Sequence, residues 1–330
     1  MKYPKRIDIS PISWLHPTDI ACAKNLRKLK SFEKTAQWVK KFIENQDILA
    51  QTTFTQSTKY ANGSLHEVYL EVLERFDAPR EYPLFITKTN NIEAFAFGID
   101  NPAIVLSQGL IDLLEESQLR FVLGHELSHI LAEHTLMKAM LHVLFIYPYE
   151  NVTLPFSNEL IKMLHMGLLS WERYSELSAD RAGLLANEKV IACQKTLMTL
   201  YEPSFKDITP ERYKKNQEEH RQTLSFEDKL HHTFANIQST HPQLEKRVKE
   251  LDLWEKHKDY NKILAGLHPR RCFHNNEAIS DQDLQAWKAT VKAMEPYEPL
   301  NEAEATWLEN IEKYTSKCLT KTILKARTWL

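Results

Sequence analysis

The chain is expected to be an α+β protein, mostly helical, with a small β-sheet beside one long buried helix. Three observations predict that class. Seven glycines in 330 residues are too few for an all-β or repeat architecture, which spends glycine on its turns. Apolar residues recur at three- and four-residue spacing along most of the chain, the mark of amphipathic helices. After Pro79 the period shortens to that of strands, with turn residues between the runs.

In chain order, residues 18–50 predict a helix, with Ile20, Leu26, Leu29, Phe32, Trp38, Val39, Phe42 and Ile43 forming apolar stripes between lysines. The polar stretch 51–62 reads as a loop, and Leu65–Phe76 as a second helix. Leu84–Lys88, Glu93–Gly98 and Ile104–Ser107 read as strands, separated by the turn-forming Thr89-Asn-Asn and Ile99-Asp-Asn-Pro. Helices return from Asp112 to about Tyr201, followed by a charged segment, Phe205–Lys229, expected as exposed loop or surface helix. A further helix follows Pro242 and runs through Arg247 to about Lys258. His268-Pro-Arg-Arg reads as a boundary, and Asp281–Leu330 as two or three amphipathic helices carrying Trp287, Trp307 and Trp329. The expected organisation is an N-terminal helical region over 1–80, a central domain over 81–258 and a C-terminal helical region over 259–330.

Composition narrows the function classes. A net charge of −2 gives no electrostatic footprint for nucleic acid or for an acidic membrane surface. Cys22, Cys193, Cys272 and Cys318 are scattered without a Cys-x-x-Cys pair, so neither a disulfide frame nor a structural zinc knot is expected. The first residues, Met1-Lys-Tyr-Pro-Lys-Arg-Ile-Asp, lack the apolar core of a signal peptide, and a cytoplasmic location is the expectation. The two most apolar stretches, Leu136–Tyr149 and Leu160–Trp171, fall short of the roughly 20 residues that cross a bilayer. They are expected to form a buried helical hairpin, leaving peripheral membrane contact as the most the chain would make.

Residues 125–129 read His-Glu-Leu-Ser-His. Within an uninterrupted helical pattern running from Gln118 to His134, with Ser117 expected as its N-cap, positions four apart lie on one face. His125 and His129 can therefore offer two imidazoles to one metal ion, with Glu126 roughly 100° round the helix as a carboxylate base. Two nitrogen donors and a base suit metal-assisted hydrolysis. A catalytic zinc takes a third protein ligand. His134 follows His129 one residue too soon for the His-x-x-Gly-x-x-His pattern, while His142 and His165 sit on apolar stretches. Forty-seven residues beyond His129, Glu172, Glu176 and Asp180 are spaced by four on a second helix, with Ser178, Ala179, Ala182 and Gly183 allowing close packing. Spacing alone leaves Glu172 and Glu176 both open as the ligand. Asp180 would then accept the free ring N–H of a ligand histidine.

The stretch Asn91–Leu185 resembles the catalytic core of the HtpX-like and CAAX-prenyl-protease-like (Ste24-type) zinc metallopeptidases, a gluzincin family. The carriers are the His-Glu-x-x-His phrase, Glu176-Leu-Ser-Ala-Asp180, the strand Glu93-Ala-Phe-Ala-Phe-Gly98, Ile104-Val-Leu-Ser-Gln-Gly-Leu110, and Ser239-Thr-His-Pro242 followed by Arg247. The resemblance implies one Zn²⁺ held by His125, His129 and Glu176, with Asp180 behind a ligand histidine and Glu126 as general base. It also implies His241 as a second electrophile near the scissile carbonyl, and a role for Arg247 close to the site. Protein or peptide substrate would lie extended along Ala94, Phe95, Ala96 and Phe97. Glu93 stands where the family carries asparagine, so no substrate contact is carried over to that position. The implied function is a zinc-dependent endopeptidase. The rival is a latent or catalytically silent peptide binder of the same fold, its cleft covered by the C-terminal region or by the segment carrying His241.

Overall fold

The structure, a computed structural model, describes residues 6–29, 31–41, 55–56, 63–146, 158–223 and 244–271. The architecture is the mostly helical α+β arrangement expected. Pro17 opens α1 (Pro17–Arg27) at a position where its missing N–H costs no hydrogen bond, and Thr18 N–H donates to the His16 ring. The single helix expected over 18–50 is instead two, α1 and α2 (residues 31–41), with 42–50 outside the described residues. Between them the amides of Lys28, Leu29 and Phe32 bond carbonyls three residues back, which tightens the chain into a turn. The break lets Leu26 and Val39 fold onto one apolar cluster with Met140, Leu141, Leu168 and Trp171.

Helix α3 (Gly63–Arg75) buries Leu65, Val68, Tyr69, Val72 and Leu73 against the main core. One strand before α3 and three after it form a sheet of order β1-β2-β4-β3: β1 (Thr55–Gln56), β2 (Leu84–Thr87), β3 (Ala94–Phe97) and β4 (Ala103–Ser107). β1 lies in the stretch expected as loop. β4 is central and wholly buried, parallel to β2 and antiparallel to β3, so β3 is an edge strand. Gly98, at φ 83°, turns the chain out of β3, and a Cβ there would meet the Asn101 carbonyl oxygen at 2.7 Å.

A short α4 (Gln108–Leu113) leads to α5 (Glu116–Leu131), whose residues from Leu119 to Ile130 are all buried. The cap is Glu115 rather than the expected Ser117. Glu115 N–H donates to Gln118 Oε1 at 3.0 Å, and its carbonyl accepts from the Gln118 and Leu119 amides. Glu133, at φ 56°, turns the chain into α6 (His134–Ile146), and α7 (Asn158–Asn187) then runs 30 residues, about 45 Å. The described parts of the two apolar segments are helix and bury Met137, Met140, Leu141, Leu164, Leu168 and Trp171, but the second belongs to the opening half of α7 rather than to a separate element. Among the described residues no helix is long and apolar enough to cross a membrane.

Helices α5 and α7 cross in close contact because small residues meet there. A Cβ at Gly183 would lie 2.6 Å from the Phe121 ring, and one at Gly124 would strike Ala186. Outside this pair lie α8 (Val190–Tyr201), the exposed α9 (Pro210–Thr223), α10 (Leu244–Lys256) and α11 (Lys258–Leu264). Gln194 ties α8 to α10 by donating to the Val248 carbonyl at 2.9 Å and Asp252 at 2.7 Å. Arg270 and Arg271 then return to the start of the chain, the Arg271 amide bonding the Asp8 carbonyl at 2.8 Å. Residues 272–330, including the tryptophans expected on the C-terminal helices, lie outside the described residues.

Candidate metal centre

The crossing of α5 and α7 brings three donors together. His125 and His129, one turn apart on α5, have their Nε2 atoms 3.3 Å apart. Glu176 on α7 straddles them, with Oε2 3.4 Å from His125 Nε2 and Oε1 3.3 Å from His129 Nε2. A tetrahedral site with bonds of about 2.0–2.1 Å separates its ligand atoms by roughly 3.3–3.4 Å. The donor set therefore fits zinc in both chemistry and spacing, and it is the one such metal-capable group among the described residues.

Glu172, which spacing left open, is not part of this triad; Lys138 Nζ donates to it at 2.7 Å and to Glu176 Oε1 at 2.8 Å, and stands 3.4 Å from His129 Nε2. His134 is not in the donor set: its Nδ1 lies 3.1 Å from His129 Nδ1. His142 is exposed. Asp180 stands behind His125, with Oδ1 3.1 Å from Nδ1. A proton held there on Nδ1 leaves the Nε2 lone pair facing inward. Arg247, on α10, clamps Asp180 with two bonds of 2.7 Å and lies 3.7 Å from Glu176. His241 lies outside the described residues.

Electrostatics follow from burial and charge. Burial alone would lower the His125 pKa, but Glu176 and Asp180 outweigh it and hold the ring up to about 9. His129, buried and facing Lys138, is pushed well below the ordinary histidine value. Burial raises Glu126 above the usual carboxylate range, while His125, Lys138 and a hydrogen bond from the Ala96 amide pull it back. Lys138 and Arg247 stay protonated against their burial because carboxylates surround them. Glu126, Glu172, Glu176 and Asp180 thus face two fixed cations, Lys138 and Arg247. With His125 neutral, as a metal ligand must be, the excess of negative charge is of the size a divalent cation cancels.

Among the described residues no strand pairs with the outer edge of β3, which lies toward Glu126. Ser107 N–H donates to the Glu93 carbonyl, so the register makes 95↔105 and 97↔103 the next hydrogen-bonded pairs. Ala94 and Ala96 therefore turn their backbone groups to the free side, where the Ala96 amide meets Glu126. Glu93 accepts from Asn91 Nδ2 at 3.0 Å. Two contributors escaped sequence reasoning. Lys138 was visible as a lone cation in an apolar stretch, and Asp19, 1% exposed, gave no local signal at all.

The profile of Peptidase family M48 matches residues 59–255. The plastoglobule-localized metallopeptidase 48, chloroplastic, of Arabidopsis thaliana is 26% identical over 270 residues, 78% of this chain and 76% of that protein. Protease HtpX homologs of Helicobacter pylori strains Shi470 and J99 are 40% and 39% identical over 70 residues, 21% of this chain. The chain spans only 23% of the length of each of those two relatives. No solved structure matches the chain. With a donor triad of this geometry inside a match that spans more than half of its length, the chain belongs to peptidase family M48, the HtpX-like metallopeptidases.

Proposed function

We propose that the protein is a zinc-dependent endopeptidase with Glu126 as its general base. The observation that carries this reading is the convergence of His125, His129 and Glu176 beside a buried carboxylate that faces a free strand edge. His125, His129 and Glu176 would hold the ion. Zinc, when bound, supplies the Lewis acidity that makes water a nucleophile near neutral pH and polarises the scissile carbonyl.

The rest of the chemistry falls to the chain itself. Substrate backbone pairs with the outward groups of Ala94 and with the carbonyl of Ala96, whose amide serves Glu126; such pairing accepts many sequences and leaves preference to side-chain pockets. The Glu126 carboxylate takes a proton from the attacking water and delivers it to the leaving amine nitrogen. Its raised affinity for a proton, caused by burial, suits both halves of that exchange. Arg247 holds Asp180, and through it the His125 ring. His241 is the proposed second electrophile for the developing oxyanion, a role supported by the resemblance of its His-Pro segment.

The test is mass-spectrometric cleavage of a mixed peptide library by the zinc-loaded protein and by the Glu126→Gln variant. The variant should retain zinc and lose turnover by about 10²–10⁴-fold. Wild-type cleavage rates in Glu126→Gln would refute the assignment of the base.

A further inference from the structure

We propose that Asp19 and His134 form a positioning relay for His129, which makes the N-terminal segment a working part of the metal centre. The inference rests on the reading that His125, His129 and Glu176 hold zinc. His129 Nδ1 lies 3.1 Å from His134 Nδ1, and His134 Nε2 lies 3.3 Å from Asp19 Oδ2. Asp19 sits on α1, outside residues 59–255 that carry the family match.

The proton positions along this chain are forced one after another. A His129 that offers its Nε2 lone pair to a metal must carry its proton on Nδ1. That proton points at His134 Nδ1, which must then be the bare, accepting nitrogen. The remaining His134 proton sits on Nε2, the nitrogen that faces Asp19 Oδ2 at 3.3 Å. Asp19 can only accept, and its other neighbours all donate: Trp171 Nε1 at 2.8 Å and Ser178 Oγ at 2.6 Å. Every N–H has an acceptor, and every acceptor has a donor. Trp171 also meets the His134 ring edge-on at 86°, which holds its plane.

The two ligand histidines are thus supported differently. His125 donates to a carboxylate directly, through Asp180. His129 reaches its carboxylate through a second imidazole. The negative charge of Asp19 polarises His134 and, through it, strengthens the donor nitrogen of His129 toward a cation. Independent contacts hold α1 and the segment before it in register with both ligand helices. Trp14 Nε1 donates to Ser128 Oγ at 2.9 Å, and the His16 amide donates to Ser178 Oγ at 2.8 Å.

The test measures zinc affinity of the full chain by chelator competition, together with the visible spectrum of the cobalt(II)-substituted protein. His134→Phe keeps a ring but removes the acceptor, and should weaken zinc about 10–100-fold and alter the cobalt spectrum. His134→Asn places an amide oxygen near the Nδ1 position and should recover most of that loss, which a merely structural role would not require. Asp19→Asn should fall between the two. If wild type takes up no zinc, the metal reading fails and the relay with it. If wild type binds zinc and His134→Phe matches its affinity and spectrum, the relay alone is overturned. Nitrogen-15 shifts of the wild-type histidines decide the matter without any variant, so a misfolded variant cannot shield the proposal. His134 protonated on Nε2 and bare on Nδ1 supports it, whereas a proton on Nδ1 overturns it.

Discussion

Gly183→Ala probes the contact that brings the donor triad together. The added Cβ would lie 2.6 and 2.7 Å from two Phe121 ring carbons and 2.9 Å from the Phe121 carbonyl oxygen. The ring, 1% exposed, has little room to swing away. The carbonyl cannot retreat without α5. Reaching ordinary contact, near 3.4 Å, requires that backbone to recede by about 0.5 Å. Phe121 lies one helical turn before His125, so the displacement carries toward the ligands. Metal–ligand distances tolerate about ±0.2 Å, and a loss of tenfold or more in zinc affinity is expected. Overpacking costs about 1–3 kcal/mol, while replacing a helical glycine by alanine returns about 0.8–1 kcal/mol. The net loss, up to about 2 kcal/mol, should lower the Tm of the metal-free protein by a few degrees. Zinc affinity by chelator competition and thermal unfolding with and without zinc are the assays. Gly63→Ala is the control, because a Cβ there meets nothing within 4 Å. A Gly183→Ala protein with wild-type zinc affinity and an equal or higher Tm would refute the idea that this crossing sets the ligand spacing.

Other consequences can be checked with simpler variants. Buried Ser107 Oγ accepts from the Glu93 amide at 3.0 Å and the Leu110 amide at 3.2 Å, and donates to the Asn91 carbonyl at 2.6 Å. Ser107→Ala should cost about 1–3 kcal/mol in unfolding and raise KM more than it lowers kcat, since it loosens the start of the β3 edge. Unchanged stability and KM would count against that bracing role. Glu71 is held below the usual carboxylate range by Arg75 and Arg120 despite the opposing effect of burial. A depressed pKa means stability that is present above the unfolded value, near pH 4.3, and lost as pH falls through the lower folded value. Glu71→Gln should therefore flatten the acid limb of a Tm-against-pH curve, and an unaltered limb would show that the two arginines do not act through this carboxylate.

Much of the architecture was legible because its signals are local. The strand periods at 84–107 and the helical spacing around His125 depend on residues within a few positions of each other, and those elements formed where expected. Local competition decided the misses. Ser117 has the chemistry of a cap, yet the Glu115–Gln118 bond sets the start of α5 two residues earlier. Residues 18–50 carry continuous helical spacing, but the chain turns at Leu29 so that both pieces can cover one apolar cluster.

By itself the sequence determined that two imidazoles and a carboxylate share a helix, because a four-residue spacing on an α-helix is geometry rather than context. Only the tertiary structure decided which distant groups complete that arrangement. Glu172 and Glu176 are equivalent by spacing and both accept from Lys138, and the α5–α7 crossing places Glu176, not Glu172, against both imidazoles. Asp19 stands 115 residues before His134 and faces it across 3.3 Å. No periodicity encodes such a pairing: it arises when the packing of distant helices buries a carboxylate among donors, here Trp171, Ser178 and His134.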